Sequence, residues 1–183
     1  MLRTCFNVLL VTIFWVGFAG AALADREEGE TTARQGVVRC GGNNFLRLGG
    51  TEIQFASYTL RNFDATQPIV VDRMRFFDAN GKVLFDTAGG ALPPAENGVL
   101  GPANNTLNPN QSAQFNTNDI LPFLAQTDRP IQLEIEWSAR GRALGLDVIT
   151  VRTARQRDPT TGAMLAEKGG HATGCRSILL NSF

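Results

Sequence analysis

Histidine, tyrosine and lysine are almost missing from this chain. His171 is the single histidine and Tyr58 the single tyrosine among 183 residues, and Lys82 and Lys168 are the only lysines. Nucleophilic hydrolysis needs a base beside an activated Ser or Cys. The one imidazole stands in the Gly-rich stretch Gly169-Gly170-His171-Ala172-Thr173-Gly174, and no G-x-S-x-G elbow is present. A Ser-His or Cys-His enzyme is therefore not expected, and His171 reads as a loop residue. Net charge is missing too: 17 basic residues balance 17 acidic ones, which gives no global attraction to nucleic acid or anionic membranes. Phosphate binding would need a Gly-rich loop leading into a helix, and neither Gly41-Gly42 nor Gly49-Gly50 leads into one. No motif implies a cofactor, and no internal repeat is seen.

Long apolar runs are confined to the amino terminus. Arg3 supplies a positive start, Val8 to Phe18 is almost unbroken apolar sequence, and Ala22-Leu23-Ala24 has the small-x-small form of a cleavage site. This is the layout of a secretory signal peptide over residues 1–24. Its apolar core is shorter than the roughly 20 residues of a spanning helix, and Cys5 precedes that core, so it is not placed as a lipid-anchor cysteine. The expected mature protein starts near Asp25, carries a formal charge of −1 once Arg3 is lost, and spans no membrane. It is exported, to the periplasm or the medium.

Cysteine is scarce as well. Only Cys40 and Cys175 survive processing, and in an oxidising compartment two cysteines are most simply one disulfide. A loop of that length gives an upper estimate of about 5 kcal/mol. A metal site using His171 and Cys175 is the weaker alternative, since no C-x-x-C spacing supports it.

What is plentiful is strand signal. Residues 25–35 are charged, small and aperiodic and read as a flexible arm, leaving 36–183 as one domain. Val37 to Cys40, Thr51 to Asn62 and Ile69 to Asp78 read as strands. Asn80-Gly81 predicts a hairpin return over Lys82 to Thr87. In Ile131 to Ala139, apolar Ile131, Leu133, Ile135 and Trp137 alternate with Gln132, Glu134, Glu136 and Ser138, the pattern of an antiparallel sheet with one wet face. Arg140-Gly141-Arg142 is expected to turn the chain into Leu144 to Arg155. Asp158 to Gly162 is a further turn, and Met164 to Ala166 and Cys175 to Leu180 are short closing strands separated by Gly169-Gly170. Asn118 could cap one helical turn. Short strands with turns between them predict an all-β protein, an antiparallel β-sandwich of immunoglobulin-like or jelly-roll-like form.

Carboxylate pairs raise the question of glycosidase chemistry. Glu134 and Glu136 match Arg73 and Arg75 in spacing, so a cross-strand charge ladder is the preferred reading. The Arg152, Arg155, Arg157 cluster reads as solvated charge, and Asp78 with Asn80 as turn chemistry rather than a calcium site. Most aromatic residues, among them Phe55, Phe76, Phe77, Phe85, Phe115 and Trp137, suit a core. Phe63, between Asn62 and Asp64, is the one ring expected in water. Residues 88–110 hold Gly-Gly, Pro-Pro, Asn-Gly, Gly-Pro and Asn-Asn pairs, and a loop so long is usually functional or disordered. Asn97, Asn104 and Asn105 on that loop, with Phe63, are the candidate binding residues.

The succession Tyr58-Thr59-Leu60-Arg61-Asn62, then Phe76-Phe77-Asp78-Ala79-Asn80-Gly81, then Leu107-Asn108-Pro109-Asn110-Gln111-Ser112 with a strand through Phe115, and Asn118-Asp119-Ile120-Leu121 before Ile131 to Ser138, resembles small bacterial β-sandwiches similar to the sensory rhodopsin transducer. The resemblance runs from Tyr58 to Arg155. It implies a single sandwich that binds a partner or small ligand and can form homo-oligomers. The signal peptide, the long loop and the Cys175 segment stand outside its pattern, and no family binding residue carries over. The expected function is a non-enzymatic binding module acting on an envelope protein or small ligand, with assembly through sheet edges as the alternative.

Overall fold

A computed structural model of the chain describes residues 32–41, 52–88, 91–116 and 130–180. Ten strands lie within them: β1 (Ala33–Cys40), β2 (Glu52–Asn62), β3 (Ile69–Phe77), β4 (Val83–Asp86), β5 (Thr106–Leu107), β6 (Ser112–Asn116), β7 (Gln132–Ala143), β8 (Leu146–Arg157), β9 (Met164–Gly174) and β10 (Arg176–Leu180). They form two antiparallel sheets with no helix among the described residues, a β-sandwich as the alternation predicted. The first sheet runs β10-β1-β7-β3-β4 with β5 also on β3, and the second runs β6-β2-β8-β9. The signal peptide and the turn expected at Asn118 lie outside the described residues.

Inward positions of both sheets meet in one core, where Leu60, Ile69, Phe76, Phe115, Leu133, Ile135, Trp137 and Leu146 are almost wholly buried. Burying an aromatic or large aliphatic side chain contributes about 1.5–3 kcal/mol. The Tyr58 ring meets Phe76 edge-on at 5.8 Å, and desolvation raises its hydroxyl pKa above the ordinary tyrosine value. At Gly36 two elements approach closely: a Cβ there would lie 2.7 Å from Trp137 Nε1 and 2.8 Å from the Ile178 carbonyl oxygen.

The structure moves several boundaries. β1 opens at Ala33, which is buried, so the domain starts inside the stretch read as an arm. Arg140-Gly141-Arg142 does not turn. It continues β7, and the reversal comes at Leu144-Gly145, where Gly145 takes φ +101°. Glycine is free in that region of φ, whereas Gly141 between two long arginines is not needed for it. Gly169-Gly170 likewise sits within β9, which pairs with β8 over most of that strand's length. Cys175 then carries the chain from the second sheet to the first, and it is disulfide-bonded to Cys40 as expected.

The long loop is the largest revision. Leu92, Ala95, Leu100 and Leu107 are buried in the core. The Glu96 amide donates to the Gln114 carbonyl on β6, and the Val71 amide on β3 donates to the Asn105 carbonyl. The segment is therefore the side wall that joins the two sheets, sewn to an edge of each. Its composition misled because few apolar residues suffice to seal a seam between sheets already packed.

Candidate functional site

Phe63 stands at one end of the sandwich, where β2 hands over to β3. Its ring is 55% exposed, as the sequence suggested, while the residues on either side of it are buried. Asn62 Nδ2 donates to the Gln67 and Leu107 carbonyls at 2.8 and 3.1 Å, and its Oδ1 accepts the Asp64 amide at 3.0 Å. Asp64 Oδ1 accepts the Thr66 and Gln67 amides, both at 2.8 Å, and its Oδ2 accepts the Leu144 amide of the β7–β8 turn at 3.2 Å. These backbone amides favour the ionised carboxylate, Thr66 first and Gln67 next, and hold Asp64 below its ordinary pKa. Buried amides and carboxylates stay buried only when so satisfied. The loop is thus fixed from within, and Phe63 is the one large apolar side chain it leaves exposed, beside the small Ala65 and Thr66.

Beside the ring lies Arg61, whose guanidinium carbon is 4.8 Å from the ring centroid. Arg61 also pairs with Asp147 on β8 at 2.8 Å, so the cation is held in place over the aromatic face. Aromatic residues and arginine are both enriched at protein interfaces.

The asparagines of the loop behave otherwise. Asn97 Nδ2 donates to the Ser112 carbonyl at 2.8 Å, Asn104 Nδ2 to the Val99 carbonyl at 2.6 Å, and Asn105 Nδ2 to the Val71 carbonyl at 3.4 Å. Their amides serve the side wall, and they do not gather with Phe63 into one surface. The sequence places Asn62 and Asp64 beside the ring in a turn without disclosing that both are buried. The signal for them is the string Asn62-Phe63-Asp64-Ala65-Thr66, in which two turn-forming side chains flank an aromatic that has no place in a turn.

The outer face of the first sheet carries the charge ladder. β3 and β7 are neighbours, with Arg73 opposite Glu136 and Arg75 opposite Glu134. Arg75 reaches both Glu134 and Glu136, Arg39 on β1 reaches Glu134 at 2.7 Å, and Arg73 turns instead to Asp86 on β4 at 2.6 Å. That last pair holds the Asp86 carboxyl at about 2, chiefly through the Arg73 hydrogen bond. Glu134 was expected on the wet face but is only 8% exposed. Arginine stems lying over it from both sides exclude water while their guanidiniums neutralise it. Phe77, expected in the core, is half-buried on this outer face, with the Arg75 guanidinium carbon 5.7 Å from its ring centroid.

At the end of this sheet away from Phe63, a cleft of about 320 Å³ opens beside Cys40. His171 is exposed on β9, opposite Arg152. No group of His, Cys, Asp or Glu among the described residues is arranged to hold a metal ion, and no helix among them is long and apolar enough to cross a membrane.

Neither a protein-family model nor a curated protein matches the chain. Among solved structures, the crystal structure of Thermotoga maritima 1070 is similar at a TM-score of 0.37 and 10% identity, covering 79% of this chain and 93% of that one. A likeness at that level carries no functional weight.

Proposed function

We propose that the protein is exported, is cleaved after Ala24, and works as a non-enzymatic β-sandwich that binds another protein of the cell envelope through the Phe63 end. One observation carries this reading: an aromatic side chain is held in water by a loop whose flanking polar side chains are all committed inward. A loop needed only to connect β2 to β3 would gain by placing a polar residue there. Exposed rings cost solubility, and a rigid one loses little conformational entropy on docking. The disulfide is compatible with the oxidising side of a membrane.

Capture from envelope extract tests it, with the mature protein and its Phe63→Ala variant as paired baits. The expected result is a partner retained by the first and lost by the second, with unchanged circular dichroism. Equal retention by both baits rejects Phe63 as the contact. Retention of the uncleaved chain inside the cell rejects the export step separately, and an amino terminus away from Asp25 rejects the cleavage position.

A second reading, assembly through sheet edges, would use β9, the longest edge strand among the described residues. Its pairing with β8 shifts register twice, between Ala154 and Arg155 and between Gln156 and Arg157. Such bulges blunt edges against further pairing. The other edges are short or sewn to the side wall. Sedimentation at high protein concentration separates the readings, with a monomer expected.

A further inference from the structure

We propose that the cleft at the Cys40 end binds a small carboxylate ligand with a compact apolar body. The cleft is lined by Arg39, Cys40, Phe77, Gln132, Leu133 and Glu134, with Gly81 of the β3–β4 turn at its rim. A volume of about 320 Å³ is at the small end of ligand pockets, enough for one ring or a short branched chain. The Phe77 ring, half-buried on this outer face, supplies the apolar wall. Gln132 offers an amide at the mouth.

The choice of anion follows from how Glu134 is used. Its Oε2 accepts from Arg39 Nε and its Oε1 from Arg75, so two guanidiniums already neutralise this carboxylate, and it orients arginine instead of drawing a cationic ligand. Arg39 is 63% exposed along its side chain. With its Nε tied to Glu134, the guanidinium keeps the edge formed by its two terminal nitrogens. That edge matches a carboxylate in a two-pronged pair. The geometry fixes the direction of approach: charge at the mouth on Arg39, apolar body against the Phe77 ring. An ammonium group would meet Arg39 first and be repelled.

Amide chemical-shift titration of the mature protein with benzoate, and with benzamide as its neutral counterpart of the same shape, tests the proposal. Benzoate is expected to shift Gly81, Gln132 and Leu133 saturably, with benzamide binding at least tenfold more weakly. Arg39→Gln should weaken benzoate at least tenfold and leave benzamide unchanged, whereas Arg73→Gln, on the same face but away from the cleft, should leave both unchanged. Equal binding of the two probes, shifts centred elsewhere, or no saturable shift overturns it, and the two-probe comparison holds even if Arg39→Gln disturbs the fold. Phe63→Ala should not alter this titration, so failure of the partner contact and failure of the ligand site are told apart.

Discussion

The two ends of this sandwich are stiffened by different chemistry. At the Phe63 end, rigidity is local and polar: Asn62 and Asp64 tie the β2–β3 loop to backbone groups on β5 and the β7–β8 turn. At the Cys40 end it is covalent and long-range, since the disulfide closes a separation of 135 residues beside a guanidinium–carboxylate cluster. The first kind of stiffness is sensitive to protons and to single polar atoms. The second is sensitive to reductant and nearly blind to mild acid. A molecule built this way can loosen one end while the other stays intact.

The largest test of that contrast is removal of the disulfide. Cys40→Ser with Cys175→Ser should lower unfolding stability by about 2–5 kcal/mol, read as a fall in the urea midpoint, and the wild type in reductant should behave alike. A smaller effect, about 2–3 kcal/mol, is expected for Asn62→Ala, which strands the Leu107 and Gln67 carbonyls. Equal amide protection at both ends in that variant would show that the loop is not held separately.

Acid should act more gently and on one end first. The folded-state pKa of Asp64 is lowered, so its contribution is fully present above the ordinary carboxylate range and is lost as pH falls through the lowered value. Hydrogen exchange between about pH 5 and pH 2 should show Thr66, Gln67 and Leu144 losing protection, and Asp64→Asn should remove the pH dependence. Asp86, held at about 2 by Arg73, follows the same sign but lies in an exposed pair of small worth. The smallest effect belongs to Phe63→Ala, whose stability should stay within about 0.5 kcal/mol of wild type in thermal or urea unfolding. A larger loss would mean the ring belongs to the fold and not to a contact surface.

Much of the fold was legible from period and pairing logic. Ile135 and Trp137 announced the buried face of β7, and the matched spacing of Arg73, Arg75, Glu134 and Glu136 fits the pairing of β3 with β7. What local sequence hides is which residues lie across the sheet from one another. Nothing around Glu134 says that Arg39, from a strand far earlier, will cover it. Gly141 looked like a turn because turn propensity is local, whereas the tertiary pairing of β7 with β1 at Ala143 overrode it. The candidate site was half readable. The exposed Phe63 ring stood out in the chain, but the inward commitment of Asn62 and Asp64 needs the partners that only the folded loop brings near.

The placement of β10 has a bearing on how the molecule is made. β1 leads the first sheet in sequence, yet its outer neighbour is β10, with Gln35 opposite Leu180. As the chain emerges, β1 can find β7 only after most of the protein has appeared, and must wait longer still for β10. Pairings so distant in sequence form slowly, so a newly made molecule holds an uncovered leading strand until the chain is nearly complete. Protection of that strand by a holding factor, or rapid completion of the chain, is a demand the topology makes on the cell.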